Sequence, residues 1–201
     1  MKTLVLVDFD KTLYKKDSLI EFTKFYKGNF YFFVGFISLF PSLFKWKLGL
    51  ISSEITKQKF ITYFFKDEDY DMFVKKGKEF SNRNISKNLN PSIWKKIKNH
   101  QENNAEIYIV TASFSEWIID WSNKNSIQII STKLEVINNK ITGNFLSKNC
   151  NGIEKVNRIK EKIELENYEK IYVYGSGKGD LEMLQLRKYT LSKVYTQSDE
   201  I

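Results

Sequence analysis

Two aspartates that follow the first apolar run of the chain have the spacing of a metal-assisted site. The run Leu4–Val7 is continuous and aliphatic, as in a buried parallel strand, and Asp8 and Asp10 come directly after it. Because side chains alternate along an extended chain, both aspartates are predicted on the same side, at the carboxyl end of the strand. Open α/β sheets bind their ligands at that edge. Two carboxylates this close repel each other, and the pattern therefore predicts a divalent metal ion between them.

The composition is typical of a soluble globular protein. The chain has 201 residues, which is enough for one core or for a core with a smaller appended module. Its single cysteine, Cys150, excludes an intramolecular disulfide and fits a reducing compartment. Asp8 and Asp10 interrupt the N-terminal apolar run too early for a signal peptide. We therefore expect a cytoplasmic protein.

The net charge of +8 leaves nucleic acid, an anionic membrane surface and an anionic substrate open as partners. The 32 basic residues are scattered along the chain rather than clustered. No zinc-ligand spacing, RNA-binding signature or helix-turn-helix pattern accompanies them. We therefore predict no nucleic-acid partner, while the sequence leaves the oligomeric state open.

The stretch from residue 14 to residue 90 is predicted to be helical throughout, because it contains no convincing strand. Either Asp17 or Ser18 is expected to begin the first helix. Ser18 and Glu21 have the spacing of a capping box, in which each side chain satisfies a backbone N–H of the first turn.

The segment Phe22–Ile51 within this stretch is dense in aromatic residues. Its uncharged part is shorter than the roughly 20 apolar residues that a spanning helix needs. Pro41 is expected to divide the segment into two short helices, because proline interrupts a helix interior. We favour a buried face of a helical module over a patch that contacts a membrane surface.

An α/β pattern resumes at Ala105 and continues to the end of the chain. The later strands are predicted at Glu106–Val110, Ile127–Ser131, Ile171–Tyr174 and Thr190–Tyr195. The segment Leu134–Phe145 is predicted to be a small hairpin that turns at Asn138-Asn139. Strands that alternate with helices predict a parallel sheet between two helical layers.

Polar residues follow three of these predicted strands. They are Asp8, Asp10 and Thr12 after the first strand, Thr111 and Ser113 after the second, and Asp180 in a glycine-rich turn after the strand at Ile171–Tyr174. Lys155, on a predicted helix, is a fourth candidate. Parallel strands place their carboxyl ends at one edge of a sheet, so we expect these side chains to converge there.

In order and spacing these motifs resemble the haloacid dehalogenase-like hydrolases. The motifs read DFDKTL at Asp8–Leu13, IVTAS at Ile109–Ser113, NGIEKVNRI at Asn151–Ile159 and YGSGKGDLEML at Tyr174–Leu184. The resemblance implies a three-layer Rossmann-like core formed by residues 1–13 and 91–201, with residues 14–90 inserted as an all-helical C1-type cap. It also points to subfamily IB, which contains phosphoserine phosphatase-like enzymes and a lipid-phosphate phosphatase-like group.

The resemblance implies a Mg²⁺-dependent phosphatase that forms an aspartyl-phosphate. Asp8 would be the nucleophile, and Asp10 the general acid for the leaving oxygen and then the base for water. Mg²⁺ is expected to contact Asp8 and the backbone carbonyl of Asp10, with Asp180 anchoring the metal or its waters. At Ser176 the family commonly has a metal-binding aspartate, and a neutral serine weakens that part of the metal assignment.

The resemblance likewise assigns residues to phosphate and substrate binding. The residues expected to hold phosphate oxygens are Thr111, Ala112, Ser113 and Lys155. Asp17, Phe30 and Phe33 are expected to influence substrate choice, although helix capping is the simpler interpretation of Asp17. The aromatic segment favours a lipid-linked phosphate, with a small-metabolite phosphate such as phosphoserine as the alternative.

Two further functions stay open at this point. One is phosphotransfer to an alcohol instead of water, which shares the first half of the reaction. The other is a catalytically weak, membrane- or partner-binding module whose metal site is eroded at Ser176 and whose helical cap makes a peripheral membrane contact.

Overall fold

The computed structural model describes residues 2–187, so the strand predicted at Thr190–Tyr195 lies outside the described residues. The strands are β1 (Thr3–Val7), β2 (Glu106–Phe114), β3 (Gln128–Thr132), β4 (Leu134–Ile137), β5 (Lys140–Phe145) and β6 (Lys170–Tyr174). The central sheet has the order β3-β2-β1-β6 and all of its pairs are parallel. Val7 is in register with Ile109 and Tyr174, which brings the carboxyl ends of β1, β2 and β6 to one edge.

Eight α-helices accompany these strands in the described range. They are α1 (Ser18–Lys27), α2 (Asn29–Lys47), α3 (Ser53–Phe65), α4 (Tyr70–Phe80), α5 (Pro91–Glu102), α6 (Ile119–Lys124), α7 (Ile153–Lys162) and α8 (Leu181–Leu184). Val5 and Val7 of β1 belong to a core that they share with α1, α3, α4 and α5. Leu4 and Leu6 face a second core that includes Ile159 of α7. The alternation of β1 thus feeds two apolar layers, and the predicted three-layer α/β architecture is confirmed.

The first helix begins where the sequence indicates, but the predicted capping box is not formed. Asp17 is the N-cap of α1, and its side chain accepts a hydrogen bond from the Ile20 backbone N–H at 3.2 Å. Glu21 instead forms ion pairs with two lysines, Lys16 and Lys24. Because Asp17 already caps the helix, the Ser18 hydroxyl is left for contacts with the core.

The aromatic segment is helical without a break at Pro41, which lies inside the helix Asn29–Lys47, so the predicted division at this proline is wrong. The chain turns instead at Gly28, whose φ of +83° separates α1 from α2. Helix α2 packs on α3 along one narrow side, where Phe32 stacks on Phe64. Of its residues, Gly35 alone is buried, because α2 is covered only along that side by elements in the described range. The favoured interpretation of this segment as a buried face is therefore wrong for most of its apolar residues.

Within residues 2–187, none of the helices combines the length and the apolar character that crossing a membrane requires.

The predicted hairpin is confirmed as β4 and β5, which are joined at Asn138 and Asn139 with φ of +49° and +59°. It fixes the inserted helices to the rest of the chain. The backbone N–H of Asp67 donates to the Ile141 carbonyl at 2.8 Å, and the N–H of Ile141 donates to the Glu68 carbonyl at 3.0 Å. The loop between α3 and α4 is thus hydrogen-bonded to the hairpin.

Candidate active site

A cavity of about 470 Å³ lies at the carboxyl edge of the sheet, between the sheet and the helices α2 and α3. The structure brings most of the predicted site residues to its wall. They are Asp8, Asp10, Asp17, Thr111, Ala112, Ser113, Lys155, Ser176 and Asp180. These residues come from four separate stretches of sequence, and the register of the parallel strands is what gathers them.

Lys155 joins two buried carboxylates at the centre of this wall. Its ammonium donates to Asp8 Oδ1 at 2.7 Å and to Asp180 Oδ1 at 2.6 Å. Burial works to lower the pKa of Lys155, but the charges of Asp8 and Asp180 outweigh it and raise that pKa. Burial raises the pKa of Asp8, and Lys155 opposes this shift. The lysine thus supplies a positive charge that favours the ionised form of Asp8.

Asp180 also fixes the glycine-rich turn that follows β6. Its Oδ2 accepts the backbone N–H groups of Ser176 at 3.0 Å and Gly177 at 2.9 Å. A Cβ at Gly175 would lie 2.6 Å from the Cβ of Asp180, so only glycine allows the turn to close on the carboxylate. With both oxygens bonded to protein groups, Asp180 anchors the turn and Lys155.

The residues at this site can supply some of the ligands of a magnesium ion, with water and substrate supplying the others. In the part of the chain that the structure describes, no group of three acidic, histidine or cysteine side chains could hold a metal by itself. Mg²⁺ needs fewer protein ligands, because it commonly takes one or two carboxylates and keeps water and substrate phosphate as its other ligands. Asp8 is such a carboxylate, and a cation beside it would offset the cost of its burial. Ser176 reaches this carboxylate only through Thr12, whose hydroxyl lies 2.8 Å from both Ser176 Oγ and Asp8 Oδ2.

Asp10 has the properties of a group that exchanges a proton near neutral pH. Its Oδ1 accepts the Ser18 backbone N–H at 2.6 Å. Burial is the main cause that raises its pKa to about 7, and the neighbouring charges of Asp17 and Asp8 raise it further, while the Ser18 N–H opposes the shift. A general acid and base works best with a pKa near the working pH.

The residues at the end of β2 that were predicted to bind phosphate differ in their contacts: one side chain is bonded to the protein and another is left for a ligand. The Ser113 N–H donates to Thr111 Oγ1 at 2.9 Å, and the Ser113 hydroxyl lies 2.8 Å from that of Ser18. Trp117 donates to the same Ser18 hydroxyl at 3.0 Å. Ser113 is therefore bound to α1. The hydroxyl hydrogen of Thr111 has no acceptor among residues 2–187 and stays available to a ligand.

Lys57, which was not predicted as a site residue, reaches into the cavity from α3. Its ammonium donates to the carbonyl of Ala112 and, at 3.1 Å, to Asn149 Oδ1. Burial lowers the pKa of Lys57 to about 8, against the opposing effect of Asp10 and Asp17. Lys57 lies three residues before Phe60 on the packed face of its helix. A lysine among the apolar residues of a helix face is the sequence signal that could have indicated a buried functional side chain here.

The structure corrects the predicted specificity residues Phe30 and Phe33. Their side chains are 82% and 61% exposed, and neither lines the cavity. The wall that α2 provides consists of Phe36, Leu43 and Trp46. These three share one side of the helix because they are seven and three residues apart, whereas Phe30 and Phe33 lie on other sides and nearer its N-terminus.

The family of this chain follows from its sequence as well as from its site. A family model described as haloacid dehalogenase-like hydrolase matches residues 5–185. The chain belongs to the haloacid dehalogenase-like hydrolases. No curated protein is significantly similar to it in sequence.

Solved structures share the fold of this haloacid dehalogenase-like hydrolase. A protein of unknown function from Bordetella pertussis Tohama I has a TM-score of 0.78 and 18% identity, over 93% of this chain and 87% of that one. A substrate-bound phosphoserine phosphatase has a TM-score of 0.63 and 20% identity, over 92% and 83%. A phosphoserine phosphatase described as a phospho-aspartyl intermediate analogue has a TM-score of 0.58 and 21% identity, over 92% and 83%. At these identities the likeness establishes the fold.

Proposed function

We propose that this haloacid dehalogenase-like hydrolase is a Mg²⁺-dependent phosphomonoesterase that forms an aspartyl-phosphate at Asp8. The observation that carries the proposal is the pairing of Asp8 with Lys155 at 2.7 Å beside Asp10, whose pKa is about 7, in the wall of one cavity. The phospho-aspartyl analogue of a structural neighbour supports the same chemistry for this chain.

The reaction would proceed in two displacements at phosphorus. The Asp8 carboxylate attacks phosphorus as the bond to the leaving oxygen breaks, and protonated Asp10 gives that oxygen its proton. Ionised Asp10 then takes a proton from the water that attacks the aspartyl-phosphate, which releases inorganic phosphate and regenerates Asp8. Lys155 and the Thr111 hydroxyl hold phosphate oxygens throughout. When bound at Asp8 and the backbone carbonyl of Asp10, Mg²⁺ would neutralise charge on the phosphoryl group.

The cavity wall supports a substrate with an apolar leaving group. Beyond the phosphate-binding residues, the wall has an apolar part that consists of Leu19, Ile20, Phe36, Leu43, Trp46 and Phe60, beside polar residues that include Thr56 and Lys57. The apolar part is a surface that binds hydrocarbon. We therefore propose a lipid-linked phosphate and place phosphoserine second. Residues 14–90 would act as the cap that closes over this substrate, above a core of residues 1–13 and 91–201.

The first test is hydrolysis of para-nitrophenyl phosphate with Mg²⁺, with EDTA and with Asp8→Asn protein. We expect turnover that requires the metal and falls at least about a thousandfold in Asp8→Asn, because the nucleophile is lost. Asp67→Asn is the matched control, since Asp67 is exposed and its φ of +66° suits asparagine. Undiminished turnover in Asp8→Asn would contradict the mechanism.

A substrate series then separates the remaining alternatives. For alkyl phosphates, kcat/KM is expected to rise with chain length and to exceed the value for phosphoserine, because the added methylenes bury against the apolar wall. A preference for phosphoserine would reverse our order of substrates. Formation of an alkyl phosphate when an alcohol is added would instead identify a phosphotransferase.

A further inference from the structure

An exposed apolar surface surrounds the outer sides of α2 and continues into the turn after it. We name it the outer face of α2. It consists of Phe30, Phe33, Ile37, Phe40, Phe44, Leu48 and Leu50, and each of these side chains is more than half exposed. Single exposed apolar residues are common on proteins, whereas a contiguous set of this size marks an interaction surface. The helix has 19 residues and is therefore about 28 Å long.

The charged residues of the segment that carries this face all have one sign. From Phe22 to Ser53 the sequence contains four lysines and no acidic residue. Lys24 and Lys27 are paired with Glu21 and Glu68. The other two, Lys45 and Lys47, are exposed in the last turn of α2 and have no ion-pair partner in the described range. The outer face thus combines large aromatic side chains with unneutralised positive charge.

We propose that the outer face of α2 docks on the surface of an anionic lipid bilayer. Aromatic and aliphatic side chains with adjacent lysines are the combination by which a helix lies in a membrane interface, since lysines attract the anionic headgroups. A second copy of this chain fits the surface less well. A two-fold contact would place the same patch of both copies together, and the segment Phe22–Ser53 that carries it contains no acidic residue to pair with Lys45 and Lys47.

The same helix connects this surface with the cavity. Phe36 and Trp46 line the cavity and are nevertheless 41% and 48% exposed, so apolar surface continues from the site to the outer face. A role for this connection in substrate binding rests on the proposed function. A phosphate monoester with a hydrocarbon chain could present its phosphate to Asp8 while the chain stays at the bilayer surface.

Vesicle co-sedimentation tests the docking without any dependence on catalysis. We expect the full chain, and equally its Asp8→Asn variant, to sediment with phosphatidylcholine vesicles that contain phosphatidylglycerol and much less with phosphatidylcholine alone. Replacing Ile37, Phe40 and Phe44 together by serine should weaken binding at least about tenfold, because three apolar anchors are lost. The matched control replaces Ile137, Leu146 and Ile153 by serine, which are similarly exposed but lie elsewhere, and should bind as wild type does.

A second variant keeps the test decisive if the serine variant folds poorly. Lys45→Glu combined with Lys47→Glu changes only exposed side chains and should abolish the preference for anionic vesicles, whereas Lys87→Glu with Lys160→Glu should retain it. The proposal is overturned if wild-type protein binds no vesicles, if the α2 variants bind as well as their controls, or if the face instead forms a dimer in solution. If wild-type protein binds vesicles but hydrolyses no phosphate ester, the proposed function is wrong and the docking proposal still stands.

Discussion

At the scale of single residues, two aspartates two positions apart have different environments and therefore different expected roles. Asp8 is buried beside the Lys155 ammonium, which favours its ionised form against the cost of burial. Asp10 is buried beside Asp17, and its burial, with the charge of Asp17 adding to it, raises its pKa to about 7 against the hydrogen bond from the Ser18 backbone N–H. The difference fits the roles proposed for them, in which Asp8 is needed ionised as the nucleophile and Asp10 is needed protonated as the acid.

This difference predicts a pH dependence that Asp17 controls. Asp10 must carry a proton to protonate an alkoxide leaving group, so kcat/KM for an alkyl phosphate should fall as the pH rises through about 7. In Asp17→Asn one neighbouring negative charge is gone, which favours ionised Asp10, and the fall should begin at lower pH. Asparagine still caps α1, so the fold is retained.

The control for this experiment is para-nitrophenyl phosphate, whose leaving group needs little protonation and whose profile should stay flat over the same range. Steady-state kcat/KM against pH measures both. If wild-type and Asp17→Asn protein have identical profiles with the alkyl phosphate, the fall in kcat/KM with rising pH is caused by a group other than Asp10.

The residue scale also shows what sequence can and cannot provide. The positions of Asp8, Thr111, Lys155 and Asp180 could be predicted because each follows a strand or a motif of fixed order. Lys57 could not be placed, because its helix is joined to the site only by the tertiary packing of α3 above the sheet. The bond between Ser113 and Ser18 depends in the same way on a contact 95 residues apart in the sequence.

At the scale of elements, local signals predicted the strands and the hairpin. The continuity of α2, by contrast, depends on whether its packing compensates for the cost of a proline in the helix interior. The continuous apolar runs and the Asn138-Asn139 turn act within a few residues, so they survive in any tertiary context. Pro41 costs a helix one hydrogen bond, and the sequence does not show whether packing compensates. Here Phe32 and Gly35, which precede the proline, pack against α3. After the proline, the Ser42 hydroxyl accepts a hydrogen bond from Lys59 of α3 at 3.4 Å.

Replacement of Pro41 by alanine should therefore stabilise the protein. The exchange restores the missing backbone hydrogen bond and removes the clash of the proline ring, so we expect the free energy of unfolding to rise by about 1–3 kcal/mol. Urea unfolding monitored by circular dichroism measures it. Pro91→Ala is the matched control, because Pro91 occupies the first turn of α5, where proline is well tolerated, and its replacement should change stability by less than about 1 kcal/mol. A Pro41→Ala protein no more stable than wild type would show that the packing of α2 requires the bend of the proline.

At the scale of the whole molecule, the inserted helices are joined to the sheet by two adjacent chain segments. Asn90 N–H donates to the Leu13 carbonyl at 2.8 Å, and Lys15 N–H donates to the Asn88 carbonyl at 2.9 Å, so the outgoing and returning segments are paired. A paired connection of this kind can act as a hinge. The contact with the β4–β5 hairpin is one further attachment that such a movement would have to release, and the packing of Phe22 and Phe73 on Trp117 is another.

A reversible disulfide between the inserted helices and the hairpin tests whether that attachment must open. Asp69 and Lys140 are paired as an antiparallel bridge, so cysteines at these positions would have Cα atoms within the range that a disulfide spans. The cavity lies between the sheet and the helices α2 and α3, so a movement of these helices away from the sheet would widen the entrance for a bulky substrate. We expect oxidation of Asp69→Cys/Lys140→Cys protein to lower kcat/KM at least about tenfold for a long-chain alkyl phosphate and dithiothreitol to restore it. The two single-cysteine variants control for the lost side chains, and the native Cys150 is buried. Equal turnover of the oxidised and reduced protein would show that substrate enters while the helices stay fixed to the hairpin.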